Sequence, residues 1–369
     1  MEKKTLPKYA LLKQEILGWL ESGKLGPDEK MPSENELTEQ FGLSRQTVRQ
    51  TLGQLVQEGR LYKAQGKGTF VAAEKQAVQT IGAQTVGLVT TYISSYIFPH
   101  IVRGAEAAVR ARGCRFLLTS TDNDKNKERE GLAMLASQPL SGLIIEPTKS
   151  AEGNPNLAYY LALNNQRIPY VMINASYPEI SCPALVIDDE QGGFVAATHL
   201  LELGHRRIAG FFKTDDLQGI RRLRGFMRAH QQANCMLHPD FVVSYRTEDR
   251  EKRPLDMAAE LLARAPQERP TAFVCYNDEL ALQLLEVIRQ AGLAVPRDIS
   301  VVGFDDSSLA TATEVKLTTL AHPKAIMGED AAAMLFQMIE SGGTSIPPSK
   351  MYKPELIVRD STRALTREL

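Results

Sequence analysis

The sequence is poor in the features that mark secreted, membrane-spanning or metal-bearing proteins. Its 369 residues hold four cysteines. Cys114, Cys182, Cys235 and Cys275 lie far apart with no Cys-x-x-Cys pair, so neither a disulfide framework nor a thiolate metal site is expected. The six histidines do not cluster. No run approaches the roughly 18 apolar residues of a membrane helix. The first residues, MEKKTLPKYALLKQ, are charged and lack the apolar core of a secretory signal, so a cytoplasmic location off the membrane is expected. Charge of one sign is missing too: the formal net charge is −1, and no whole-chain basic field announces nucleic acid. Gly-x-Ser-x-Gly, His-Glu-x-x-His, a P-loop and Gly-x-Gly-x-x-Gly are all absent, which removes the common signatures of hydrolases, zinc peptidases, nucleotide hydrolases and dinucleotide enzymes. No enzymatic activity and no cofactor are expected.

What is present is the composition of a globular protein, 43% hydrophobic and 24% charged, with length for two or three domains. Residues 1–71 read as three helical segments and a hairpin. Leu12, Ile16, Trp19 and Leu20 recur as one apolar helix face. In PSENELTEQFG, Ser33 and Glu36 have capping-box spacing and Gly42 stands where a helix ends. Ser44 is placed to cap a third helix whose Val48, Leu52, Leu55 and Val56 again form a stripe, with Arg45, Gln46 and Arg49 pointing away from it; Gly59 closes it. LYKA and TFV are short strands around the hairpin tip Gln65-Gly66-Lys67-Gly68.

A helix presenting Arg45, Gln46, Thr47 and Arg49 fits a DNA major groove, where arginine forks onto guanine and glutamine onto adenine. Ser44 and Thr47 can meet phosphates at the helix N-terminus, and the glycine-rich tip can lie in a minor groove with Gln65 and Lys67 reaching in. The bland alternative is a solvated polar helix face, and residue pattern alone leaves it open.

Residues 72–83 are neither periodic nor strongly apolar and read as a linker. From residue 84 to 369 the pattern changes. TVGLVTT, RFLLTS, SGLIIEP, IPYVMINA, RRIAGFF, TAFVCYND and ISVVGFDD alternate with amphipathic helical segments, the mark of α/β architecture with parallel sheets covered on both faces. Seven strands over this length exceed one comfortable core, so two Rossmann-like lobes are expected. No repeat of 20–50 residues stands out.

Two resemblances sharpen this reading. GKLGPDEKMPSENELTEQFGLSRQTVRQTLGQLVQEGRLYKAQGKGTFV resembles the winged helix-turn-helix of the GntR class of bacterial repressors almost end to end. Carried over position by position, that likeness implies double-stranded operator DNA as partner, contacted by Lys8, Arg45, Gln46, Thr47, Arg49, Gln65, Gly66 and Lys67. From about residue 84 to 365, the strings Asn277-Asp278, Val295-Pro296 and VGFDD are similar to the effector domain of the lactose- and purine-repressor family, itself like periplasmic sugar-binding proteins. This implies a two-lobed domain, a homodimer and a small-molecule effector.

In α/β sheets ligands sit beyond the carboxyl ends of strands, so the residues there are the ones to weigh. Asp305 ends VVGFD, Asn277 and Asp278 follow FVCY, and FFKTDD leads toward Arg222. Carboxylates and a guanidinium can fix sugar hydroxyls, and Tyr96 or Phe98 can lie on a sugar's apolar face. Glu146, Lys149 and Tyr177 reach toward the cleft by position, and the family's ligand contact falls on His322. Asn277 or Asp278 could instead cap a helix, Arg222 could be a solvated helix arginine, and His322 a core histidine. Asp305 and Asp306 could be read as paired acid/base carboxylates, but neighbours on an extended segment point to opposite sides.

The head departs from the lactose-repressor pattern, and the hinge-helix motif of that family is missing. The joined architecture resembles the group of arabinose-responsive repressors, through TTYISSYIFP, SGLIIEPTKSA, VMINASY and CYNDE, and implies L-arabinose as the sugar. The rivals are a sugar-binding transport component, a sugar-metabolising enzyme, and the same architecture serving another pentose, a hexose or a purine.

Overall fold

The computed structural model describes residues 8–21, 24–26, 29–57, 60–64, 68–71, 84–94 and 96–365, with the side chains of 8–11, 21 and 57 excepted. The Lys8 side chain, Gly59, the tip residues Gln65, Gly66 and Lys67, and the 72–83 linker therefore fall outside the described residues. Contacts divide the chain into Met1–Gly82 and Ala83–Leu369.

In the first unit the local signals set the structure. Helix α1 (Lys8–Glu21) is followed by α2 (Glu34–Phe41), α3 (Arg45–Gln57), β1 (Leu61–Ala64) and β2 (Gly68–Val71). Ser33 Oγ accepts from the Glu36 amide at 3.3 Å, and the Glu36 carboxylate accepts from the Ser33 amide at 2.7 Å, closing a capping box. Gly42 ends α2 at φ 61°, a left-handed position that glycine takes without a Cβ penalty. Ser44 Oγ accepts from the Thr47 amide at 3.2 Å and starts α3. The apolar stripes of α1 and α3 meet: Leu12, Ile16, Val48, Leu52 and Leu55 are at most 1% exposed, with Leu37 and Leu61 beside them. Each such side chain contributes about 1.5–3 kcal/mol on burial, which is what holds this small unit together. Strands β1 and β2 pair antiparallel, Tyr62 stacking on Phe70 at 5.5 Å.

The second unit is α/β with two parallel-sheet lobes. The N-lobe elements are β3 (Thr85–Thr90), α4 (Phe98–Ala111), β4 (Arg115–Ser120), α5 (Lys125–Ala136), β5 (Gly142–Ile145), α6 (Leu157–Asn165), β6 (Tyr170–Ile173) and β7 (Ala184–Ile187). The chain then builds the C-lobe: α7 (Asp189–Glu202), β8 (Ile208–Lys213), α8 (Leu217–Gln232), β9 (Val242–Tyr245), α9 (Arg253–Leu262), β10 (Ala272–Cys275), α10 (Asp278–Gln290), β11 (Ser300–Asp305), α11 (Leu309–Ala312) and β12 (Thr318–Ala321). It returns through α12 (Lys324–Glu340) and β13 (Lys350–Tyr352) to the N-lobe and ends in β14 (Leu356–Ile357) on the C-lobe.

Among the described residues the sheet orders are β13-β7-β6-β5-β3-β4 and β14-β12-β11-β10-β8-β9. The two lobes therefore repeat one doubly wound topology, every pairing parallel except β12 with β14. The repeat is in topology and not in sequence. Strands β3 and β11 are buried along their whole length, as central parallel strands must be.

Two helix pairs set the cleft walls through small residues. A Cβ at Gly193 would sit on the Arg222 carbonyl and one at Gly225 on the Glu190 carbonyl, so only glycine lets α7 and α8 approach this closely. That approach brings Asp189 and Arg222 together. Gly104 and Gly328 allow α4 and α12 the same intimacy.

Candidate ligand cleft and nucleic-acid interface

The carboxyl ends of both sheets face one cleft of about 140 Å³, room for about five waters at roughly 30 Å³ each. It is lined from the N-lobe by Thr91, Tyr92, Tyr96, Phe98, Asn123, Glu146 and Asn174, and from the C-lobe by Lys213, Asp216, Arg222, Tyr245, Arg250, Tyr276, Asn277 and Asp305, among others.

Arg222 is the centre of its charge. The side chain is 2% exposed, donates from Nε to Asp189 Oδ1 at 2.8 Å and from a terminal nitrogen to the Tyr276 carbonyl at 2.6 Å. Its guanidinium lies 3.5 Å from the Phe304 ring centroid and 4.9 Å from that of Tyr276. The remaining nitrogen is 3.6 Å from Asp305 Oδ1, which is buried and accepts no hydrogen bond from the described residues. Burial opposes the Arg222 charge, but Asp189 and Asp305 more than offset it and hold the group protonated. Burial pushes Asp189 up to about 6 against the pull of Arg222. Burial also raises Asp305, with Arg222 and Tyr96 pulling the other way. An orphaned carboxylate oxygen beside a buried guanidinium offers an acceptor and a donor to one polyhydroxylated ligand.

On the same C-lobe side Lys213 lies 3.1 Å from Asp216 and 3.6 Å from Asp215. Burial pulls its ammonium down, and these two carboxylates outweigh that and raise it. Tyr276 donates to Asp216 at 2.7 Å. On the N-lobe side Glu146 accepts from Thr90 Oγ1, the Thr91 amide, Thr91 Oγ1 and Asn174 Nδ2 at 2.7–2.9 Å. Asn174 Oδ1 in turn faces His322 Nε2 at 3.0 Å, while His322 Nδ1 accepts from the Lys324 amide at 2.8 Å. That pattern fixes a neutral ring with its proton on Nε2. Burial, with Lys324 and Arg222 nearby, pushes its pKa down to about 3.

The lobes are closed on each other. Tyr96, an N-lobe residue, donates to Asp305 Oδ2 at 2.6 Å and lies 2.8 Å from the Phe304 carbonyl. Arg250 donates to Tyr92 at 2.8 Å, Asn123 to Thr247 at 2.6 Å, and Lys149 and Arg246 pair with Glu248 and Glu152 across the rim.

Of the sequence candidates, Tyr96, Phe98, Glu146, Arg222, Asn277 and Asp305 line the cleft. Asn277 also caps α10, its Oδ1 accepting from the Leu280 amide at 2.9 Å. Four other candidates are turned elsewhere. Tyr177 is buried in the N-lobe against Glu128 at 2.6 Å, Asp278 accepts from Thr319 at 2.6 Å and the Ser307 amide at 2.7 Å, Lys149 sits on the rim, and His322 lies behind Asn174. Tyr92, Asn123, Asn174, Lys213, Asp216, Tyr245, Arg250 and Tyr276 line the cleft too, beyond the sequence candidates. Lys213, Asn174 and Tyr276 end or follow strands and were findable by position; Asn123 and Arg250 stand on loops with no pattern. Asp305 and Asp306 are not extended, with φ of 95° and 46°, yet they diverge: Asp306 turns to Arg359 at 2.6 Å.

In the head, Arg45, Gln46 and Arg49 are exposed at the start of α3 and Thr47 is half-buried. Arg49 donates to Glu34 at 2.9 Å, and this pairing lowers Glu34 and raises Arg49. Ser44 and Thr47 hydroxyls lie 2.8 Å apart. The arrangement presents cations and amides on one side of a helix whose other side is core.

Residues 8–71 match the family model described as bacterial regulatory proteins of the gntR family, and residues 197–362 match a periplasmic binding protein-like domain. The chain is 62% identical over 365 residues to the arabinose metabolism transcriptional repressor of Geobacillus stearothermophilus, covering 99% of this chain and 100% of that one. The chain belongs to the family of arabinose metabolism transcriptional repressors. Its counterpart in Halalkalibacterium halodurans is 45% identical over 96% of each chain. Among solved structures, a LacI family transcriptional regulator from Enterococcus faecium with bound ribose is 26% identical with a TM-score of 0.65, over 77% of this chain and 100% of that one. The arabinose repressor family accounts for both units: a DNA-binding head and a sugar-binding effector domain, not an enzyme. No helix among the described residues is long and apolar enough to cross a membrane.

Proposed function

We propose that this repressor binds operator DNA as a homodimer and lets go when L-arabinose occupies the cleft between its lobes. Arg45, Gln46 and Arg49 read bases from the major groove, Thr47 meets phosphate, and Lys8 and the tip Gln65-Gly66-Lys67 complete the grip. Arg222 and Asp305 take sugar hydroxyls as donor and acceptor, and Tyr96 or Phe98 covers the ring's apolar face. Closing Tyr92, Asn123 and Lys149 onto the 246–250 segment then changes the relation between two subunits and disfavours docking of both heads. The same coupling requires operator DNA to weaken sugar binding by an equal factor.

The observation that carries this reading is the orphaned Asp305 oxygen beside Arg222 in a cleft shared by both lobes, in a chain so close to a named arabinose repressor. Isothermal titration with a panel of pentoses, hexoses and purines tests it. L-arabinose should bind most tightly; saturation by a purine alone, or silence with every sugar, would contradict it.

A further inference from the structure

Lys324 stands where the physics of helices disfavours it. It is the first residue of α12, with no acidic residue in that first turn to balance it, and a cation at a helix N-terminus opposes the helix dipole. Among the described residues its ammonium forms no ion pair. Instead it donates to two successive backbone carbonyls, Asp305 at 2.8 Å and Asp306 at 2.6 Å. Those two residues hold positive φ, 95° and 46°, a conformation side-chain-bearing residues keep only when their surroundings enforce it. The preceding carbonyl, that of Phe304, faces the Tyr96 hydroxyl at 2.8 Å. Three consecutive carbonyls at the end of β11 are therefore met by groups from the N-lobe.

We propose that Lys324 is a positioning residue for the effector site: its ammonium holds the left-handed turn at Asp305-Asp306 and so aims the Asp305 carboxylate at the ligand. Without a donor between them, the two carbonyls would converge on each other unscreened, and the turn would relax toward ordinary strand geometry. Asp305 Oδ1 would then leave its place beside Arg222. Because α12 packs on the N-lobe while β11 belongs to the C-lobe, the grip also makes Asp305 sensitive to how closely the lobes approach. The Ser307 amide is anchored by Asp278 at 2.7 Å, a contact that needs neither Lys324 nor the Asp306 carboxylate, so the turn survives as a chain segment when Lys324 is lost and only its aim changes.

This inference rests on the reading of the cleft as a sugar site, and the test separates the two. L-arabinose is titrated calorimetrically into the wild type, Lys324→Met, and the double variant Lys324→Met with Asp306→Gly; operator binding without sugar and thermal unfolding are measured in parallel. Lys324→Met should raise the Kd for arabinose about tenfold and leave operator affinity unchanged. The double variant should recover toward wild type, because glycine adopts φ near 46° without help. Wild-type sugar affinity in Lys324→Met overturns the proposal. So does an equal loss in the double variant, since the cation would then act on something other than the backbone. A variant that loses its fold and its operator together also overturns it, making Lys324 a stability residue. No heat from the wild type with any sugar overturns the cleft reading, and the proposal with it.

Discussion

Arg222→Met removes the cation that neutralises the buried Asp189 and Asp305 while keeping an apolar stem against Phe304. The side chains of Arg222 and Asp189 are 2% and 0% exposed, and their contact is 2.8 Å. Breaking such a pair by deleting one partner costs about 3–5 kcal/mol, because the other charge stays buried. For a domain of this size that is a fall in Tm of roughly 10 °C. The loss should depend on pH. Asp189 is already pushed up to about 6 by burial with Arg222 in place, and without the guanidinium it rises further. A carboxyl raised in the native state is protonated there while still ionised in the unfolded chain, so stability is regained as pH falls through the raised pKa. Thermal unfolding followed by near-UV circular dichroism at pH 8 and pH 5.5 reads this directly: the deficit against wild type should be large at pH 8 and visibly smaller at pH 5.5. A deficit of equal size at both values, or one under about 1 kcal/mol at pH 8, would refute the reasoning. The variant should also give no heat with arabinose.

Two further outcomes are expected. Arg45→Ala and Arg49→Ala leave the Val48 and Leu52 core untouched and should each cost about 1–3 kcal/mol of operator binding; unchanged mobility shifts in both would remove α3 as the recognition helix. His322→Gln keeps a donor for Asn174 but removes a titrating ring. Burial pushes His322 from 6.5 down to about 3, so the unfolded state alone takes up this proton as pH falls through that window, and the wild type loses stability there. The stability difference between wild type and variant, from urea melts at pH 7.5 and pH 5, should shift against the wild type at the lower pH. Parallel losses would contradict a neutral native His322.

The head was legible because its signals are local. A capping box, a left-handed glycine and two apolar stripes each act within a few residues, and all formed as read. In the sensor the alternation of apolar runs and helices disclosed parallel sheets, but β7, β9, β12, β13 and β14 escaped notice. Strands β13 and β14 have three and two residues, too short for a period to show, and Ser244 in β9 and Thr318 and Thr319 in β12 interrupt the apolar run; β7 is as long as β5, β6 and β10 and has no such reason. Nor does the sequence announce that α12 and β13 return to the first lobe; that is decided by Gly104 and Gly328 letting α4 and α12 meet, a choice made in tertiary packing. Within the cleft, strand-end logic with the family resemblance found Arg222 and Asp305. The same logic could not separate Asp278, whose oxygens are taken by Thr319 and Ser307, from a residue facing the ligand. A polar group beyond a strand end can serve its own chain or a guest, and only the direction of its side chain distinguishes the two.

The central claim is that sugar in this cleft releases the head from DNA. It is tested most directly by fluorescence anisotropy of labelled operator, titrated with L-arabinose, for the wild type and Asp305→Asn. Asp305 contributes the orphaned acceptor, and the amide that replaces it either turns a donor toward Arg222 or withdraws its oxygen from the ligand, while no part of the head is altered. The expected result is equal operator affinity without sugar, release of the wild type on adding arabinose, and Asp305→Asn remaining bound at the concentrations that empty the wild type. Release of both proteins at the same arabinose concentration, or of neither, would contradict the account.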